Sequence, residues 1–399
     1  MGKLTLTIAL ILAAAPVQAK QAKLTVMTQN LFLGADLQPI FAATDLSTLI
    51  AVVAQTFAAA VATNIPARME AVAKEIAERS PDLIGLQEAA IWRSQTPSDF
   101  TFPPIPTPNA TTVEFDLLQL LLDRLAARGL HYTPVAIIQN VDAEAPGLTP
   151  EGVCCRDIRL TDRDVILART DLVEDLEILN PQAHNFVINL MVPFFGGTFT
   201  IPRGWASVDV RVGDTALRFV TTHLESVIPS IPVIQAIQLA QAAELLLVPA
   251  NTPLPVVLVC DCNSSATGTG VDVTPTYVDL IHAGFIDAWS EAHPSRAGFT
   301  CCQIPTLTQP SALTERIDLV LFRGDFSVRS AKRIGAAPGD RTPRVSPPEP
   351  PARLWPSDHA GVVVTLMLQD SDFDFARDFR FDSSPFAGTD RWGMDHSNE

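Results

Sequence analysis

Ser357-Asp358-His359-Ala360-Gly361 stands directly before the apolar run Val362-Val363-Val364, and this junction decides how the rest of the chain is read. Working outward from it, polar groups recur at one end of other apolar, β-type runs. They are Gln29-Asn30, Gln87-Glu88, Thr222-His223-Leu224, Asp261-Cys262-Asn263 and Arg316-Ile317-Asp318. Asn, Glu, His, Asp/Asn, Asp and Asp-His at successive strand ends describe one polar site on a rigid scaffold. The oxygen-rich donor set suits a hard cation such as Mg²⁺. Two histidines add groups that can transfer a proton or stabilise charge.

The runs between these points give the organisation. Leu24 to Leu33 reads as a first strand. Asp45 caps a helix over Leu46 to Thr63 that is apolar nearly all round. Pro66 opens a second helix to about Arg79, with Arg68, Glu70, Lys74, Glu75 and Glu78 on a charged face. Asp82 to Gln87 is a short buried strand. Thr96 to Pro108 is a Pro-rich loop. A helix is expected over Val113 to Arg128, stopped by Gly129. Strands follow near Tyr132–Gln139, Asp164–Ala168, Phe186–Met191, Trp205–Val212 and Leu217–Thr222. A helix over Val233 to Val248 precedes the strand Val256–Cys260, and Ile317–Phe322 and Gly361–Leu368 close the series. Strands interspersed with helices suggest two packed sheets with helices outside.

The order of these motifs, from about Leu24 to Leu366, resembles the endonuclease/exonuclease/phosphatase superfamily, which includes secreted nucleases and sphingomyelinases. The resemblance implies an α+β fold: a four-layered α/β/β/α sandwich of two mainly antiparallel sheets flanked by helices, over 23–368. It implies hydrolysis of a phosphate ester by a metal-activated water, without a covalent enzyme intermediate. Glu88, Asn30 and Asp358 are then the metal-side residues, with Mg²⁺, Mn²⁺ or Ca²⁺ as the ion. Asp261 is expected to orient or deprotonate the attacking water, and Asn263 to donate to a phosphoryl oxygen. His359 contacts the phosphate or serves as a base, oriented by Asp318, while His223 faces it from the opposite flank. Alone, each residue has a plainer reading: Asn30 ending a strand, Asp261 and Asn263 in an Asx turn, a histidine satisfied in the core.

The formal charge of −16 argues against a general nucleic-acid binder, which would carry a basic face. The longest Lys/Arg run is Lys332-Arg333. A bound cation changes the local field, so a nuclease is disfavoured rather than excluded. Residues 1–19 read as a secretory signal: Lys3, the apolar stretch Leu4 to Ala15, then Val17-Gln18-Ala19. That places the protein in a secreted or periplasmic setting. The six cysteines, Cys154-Cys155, Cys260/Cys262 and Cys301-Cys302, are compatible with bridges between the first and third clusters or with vicinal bridges. Residues 369–399 alternate Asp and Phe and read as an acidic tail. Phe194-Phe195-Gly196-Gly197 is either an exposed aromatic hairpin tip able to touch a membrane or a turn between core strands. With the acidic surface it inclines the substrate toward phospholipid or a small phosphodiester.

Overall fold

The computed structural model describes residues 22–101, 107–171, 176–195, 197–213, 215–227 and 231–368. The signal segment, the tail from 369 onward and part of the Pro-rich loop (102–106) lie outside the described residues. In chain order the elements are β1 (Ala22–Asn30), α1 (Gln38–Phe41), α2 (Leu46–Ala62), α3 (Ile65–Arg79), β2 (Leu83–Gln87), β3 (Ile91–Gln95), β4 (Thr112–Asp116) and α4 (Leu117–Ala126). There follow β5 (Tyr132–Leu148), β6 (Cys154–Arg169), β7 (Leu176–Asn185), β8 (Leu190–Phe194), β9 (Gly197–Ile201), β10 (Gly204–Val212), β11 (Thr215–His223) and α5 (Pro232–Leu247). The chain closes with β12 (Val256–Asp261), α6 (Thr276–His282), β13 (Ile286–Asp287), α7 (Ala288–Ala292), β14 (Asp318–Arg323), β15 (Phe326–Ile334) and β16 (Gly361–Leu368).

An 8-stranded sheet has the order β15-β16-β1-β2-β6-β3-β4, with β5 also on β6; a 6-stranded sheet runs β13-β14-β12-β11-β10-β7. Pairing is antiparallel except for β1 with β2 and β11 with β12. Three cores separate the layers. One lies between α2, α3, α4 and the first sheet, through Leu49, Phe57, Met69, Ile76 and Leu121. A second lies between the sheets, through Leu24, Val26, Ile166, Val208 and Phe219. A third lies between the second sheet and α5 and α6, through Leu245, Leu258 and Leu280. This is the expected helix/sheet/sheet/helix sandwich.

Strands in such a sandwich are buried on both faces, so their side chains alternate between two cores rather than between core and water. In β12, Val257 and Val259 enter the inter-sheet core, whereas Val256, Leu258 and Cys260 face the helices. The sheets approach closely at Gly85. A Cβ there would stand 2.3 Å from a Val259 methyl and 2.5 Å from the Thr221 hydroxyl, so no other residue fits.

Several expectations are corrected. The helix over Val113 to Arg128 begins only at Leu117, because residues 112–116 pair with β3 and Asp116 caps the helix through Gln119 N. The strand placed at Phe186–Met191 is interrupted: Asn189 Nδ2 donates to Phe186 O (2.6 Å) and its Oδ1 accepts from Arg203 N (2.9 Å), closing a turn before β8. The charged face of α3 is not all exposed, since Arg68 and Glu75 are buried. Arg68 donates to the carbonyls of Leu31, Phe32 and Pro356, bracing the loops that carry the site. Arg316 of the Arg316-Ile317-Asp318 motif is itself buried and pairs with buried Asp287. The cysteines bridge within each cluster, Cys154–Cys155, Cys260–Cys262 and Cys301–Cys302, and not between clusters. The β8–β9 hairpin belongs to neither large sheet. Its Phe194 turns inward, edge-on to Phe41 of α1 at 6.4 Å.

Candidate active site

Strand parity assembles the site. Residues 24 and 26, 217 and 219, 257 and 259, 320 and 322 all point into the inter-sheet core. The same alternation carried to the strand end delivers Asn30, His223, Asp261 and Asp318 to that layer. There the apolar filling gives way to polar side chains, and all four are buried. The loop before β16 adds His359 and Asp358.

Glu88 follows β2 in a left-handed conformation (φ 53°), an uncommon backbone state for a residue with a side chain. Its carboxylate lies over the end of β1, where Oε1 accepts from Asn30 Nδ2 (3.1 Å) and Oε2 from Leu33 N (2.8 Å). Asn30 Nδ2 also donates to Asp261 Oδ2 (3.0 Å), while Asn30 Oδ1 accepts from Phe32 N (2.8 Å). Asn30, expected on the metal side, thus lies beside Glu88, and its amide links that carboxylate to Asp261. Asn263 follows β12 in a left-handed conformation (φ 43°). Its backbone N–H donates to Asp261 Oδ1 (3.2 Å), the Asx-turn geometry, and its Nδ2 donates to Leu224 O (2.9 Å). That leaves one amide hydrogen for a substrate.

The two histidines flank Asp261. His359 Nδ1 and Asp318 Oδ2 are 2.9 Å apart, and the ring lies 3.8 Å from Asp261 Oδ2. Burial alone would lower its pKa, but Asp318, Asp261 and Asp358 outweigh burial and hold it well above the usual histidine value. The Cys301–Cys302 bridge lies against the other nitrogen, each Sγ 3.9 Å from Nε2. His223 has the opposite surroundings. Burial, then Arg203 and His359, push its pKa well below the usual value. Arg203 Nη1 is 2.8 Å from His223 Nδ1. Arginine can only donate, so Nδ1 accepts and the ring's proton sits on Nε2, 3.4 Å from Asp261 Oδ2.

The carboxylates are short of positive partners. Burial, opposed by His359 and reinforced by Asp318, raises Asp261 to about 6. Burial raises Asp358 to about 7, with Glu88 adding to the effect and His359 and Arg68 opposing it. Burial and Asp162 raise Glu88. Glu88 and Asp358, half-buried oxygen donors in mutual repulsion, fit a hard divalent cation. Asp318 Oδ1 has no hydrogen-bond partner among the described residues.

Three neighbours were not among the expected site residues: Arg203, Asp162 and Asp164. Arg203 interacts electrostatically with Glu225, Asp162, Asp164 and Glu88. Asp162 and Asp164 are buried on β6, where Asn140 Nδ2 donates to Asp162 Oδ2 (3.1 Å). Burial, then the Asp162 charge, pushes Asp164 well above the carboxylate range. Their signal was parity: they continue the inward face of Ile166 and Ala168 with two acids.

The fold is shared with a solved structure. An endonuclease/exonuclease/phosphatase family protein from Bacteroides thetaiotaomicron is 16% identical, aligned over 88% of this chain and 100% of that one, with a TM-score of 0.51. An endonuclease/exonuclease/phosphatase from Beutenbergia cavernae is 19% identical over 87% of this chain and 72% of that one (TM-score 0.48). A mannosyl-6-phosphatase from Bacteroides thetaiotaomicron is 18% identical over 86% and 99% (TM-score 0.48). Comparison with curated proteins gave no match. A model of the Endonuclease/Exonuclease/phosphatase family matches residues 59–359, more than half of the chain, and the chain belongs to that family of phosphate-ester hydrolases.

Proposed function

We propose that the protein is an exported, divalent-metal-dependent phosphodiesterase. The observation that carries this reading is the meeting of the Asp318–His359 pair, Asp261 and the Glu88–Asn30 bridge at one end of the inter-sheet layer. Glu88 and Asp358 hold the cation, which supplies charge neutralisation at the phosphoryl oxygens. Asp261, raised toward neutrality, takes a proton from the attacking water. The water oxygen bonds to phosphorus as the bond to the alcohol oxygen breaks opposite. His359, protonated and anchored by Asp318, donates from Nε2 to a phosphoryl oxygen as negative charge grows there. His223, neutral, presents its Nε2 proton from the other flank and assists the departing oxygen.

Export rests on Lys3, the apolar Leu4 to Ala15 stretch and Val17-Gln18-Ala19. The −16 charge favours a phospholipid or small phosphodiester over DNA. The test is a panel of plasmid DNA, sphingomyelin, phosphatidylcholine and bis-p-nitrophenyl phosphate, each with Mg²⁺ and with EDTA. Mg²⁺-dependent turnover of the lipids or the small ester, with DNA slowest, supports the reading. DNA as the fastest substrate makes the protein a nuclease. No turnover together with no metal binding overturns catalysis.

A further inference from the structure

A cavity of about 140 Å³ opens beside the site. Its polar wall includes Glu88, Asp162 and Arg203, which also belong to the site. Most of the remaining wall is apolar: Leu37 and Phe41 from the α1 region, Val53 of α2, Trp92 of β3, and Phe194 and Phe199 from the β8–β9 hairpin. Two further polar lining groups are already engaged or placed away from the phosphate. Glu144 Oε2 accepts from Asn109 N and Ala110 N, and the Trp92 indole N–H is satisfied by Leu33 O (2.8 Å). What Trp92 turns to the cavity is ring surface.

A dry cavity near 150 Å³ with Leu, Ile and Phe walls holds a benzene-sized molecule, as an engineered cavity in another protein shows. Water gains few hydrogen bonds on such a wall, and a charged group would lose its hydration. On the phosphodiesterase reading the phosphate lies at the cation, by Glu88, so a single ligand spanning both parts carries an anion at one end and a compact apolar group at the other.

We propose that this cavity is the subsite for the apolar alcohol arm of the substrate, a group about the size of one aromatic ring or a short branched alkyl. The inference rests on the phosphodiesterase reading and narrows it, favouring compact apolar esters over long-chain lipids. The hairpin that was a candidate membrane tip becomes the outer wall of the subsite, with Phe194 and Phe199 both packed within 6.4 Å of Phe41.

The experiment measures binding, not turnover. Calorimetry of the Mg²⁺-loaded protein with phenylphosphonate and methylphosphonate gives the ratio of their dissociation constants. Burying a ring in the cavity is expected to favour phenylphosphonate by about tenfold or more. Ala145, on β5 in the cavity wall, is the variant site. Ala145→Leu fills the space, and the ratio should fall to within about threefold while methylphosphonate affinity is retained. Retained methylphosphonate affinity also shows that the variant is folded. Equal affinities in the unmodified protein overturn the proposal. So does a ratio that Ala145→Leu leaves unchanged, which would place the ring elsewhere. Failure of the hydrolysis panel with this binding ratio intact would remove the catalytic reading and leave the subsite standing.

Discussion

His359 and His223 lie on either side of Asp261, 3.8 Å and 3.4 Å from the same Oδ2, and are both buried, yet their surroundings drive them to opposite charge states. Around His359 stand Asp318, Asp261 and Asp358, which keep it protonated against the cost of burial. Around His223 stands Arg203, which adds to that cost and fixes the ring's single proton on Nε2. Burial and Asp261 are common to both, so the difference lies in the other named neighbours: Asp318 and Asp358 raise His359, whereas Arg203 lowers His223. A fixed cation and a neutral proton donor on two flanks of one carboxylate is a division of labour suited to an in-line displacement at phosphorus.

The largest expected effect separates the flanks by removing each ring. His359→Ala should lower kcat by about 10³-fold or more, and His223→Ala by about 10²-fold, since only the first carries a full charge to the phosphate. Steady-state kinetics with the small ester reads both. Equal losses would erase the asymmetry.

Next in size is Asp318→Asn. It removes the principal raising partner of His359, so the His359 pKa falls. If activity needs the protonated ring, the alkaline limb of the rate profile moves to lower pH, with about 10²-fold loss in kcat at pH 8. An unmoved alkaline limb would detach Asp318 from His359 function. Arg203→Met is the mirror experiment. It takes away a lowering influence, so the His223 pKa rises and the acid limb, where neutral His223 is required, moves to higher pH. Burial, the largest cause, remains, so the shift is partial and the loss nearer tenfold.

The smallest effect is on stability and uses a buried acid outside the site. Burial raises Glu75 to about 9 from 4.5. A raised acid contributes stability that is whole below about pH 4.5 and is lost as the pH climbs through about 9. Glu75→Gln should therefore match the parent near pH 4.5 and exceed it by about 2 kcal/mol at pH 6 in urea denaturation. Activity should stay within twofold. A variant less stable at pH 6 would show that the ionised carboxylate has a partner, placing Glu75 closer to the site carboxylates in kind.

How much was legible follows the same physics. The sandwich was readable because strands buried on both faces are long apolar runs, and Val256 to Val259 or Val362 to Val364 can hardly be anything else. Glu88, Asp261, Asp318, Asp358 and His359 stood out because each breaks such a run at its end. Asp162 and Asp164 did not, since β6 carries charge elsewhere and only inward parity distinguishes them, and Arg203 lies in the short loop before β10, where no strand parity marks it. Arg68 was misplaced on a charged helix face because its partners are backbone carbonyls, which have no trace in sequence. The amides of Asn30 and Asn263 could not be oriented either, as their direction depends on which neighbours are donors.

The most direct test of the central claim is turnover of bis-p-nitrophenyl phosphate by the parent and by His359→Ala, with Mg²⁺ and with EDTA. Mg²⁺-dependent turnover by the parent is expected, abolished by EDTA and reduced about 10³-fold in the variant with metal binding retained. Turnover that survives EDTA, or a variant as active as the parent, would contradict that claim.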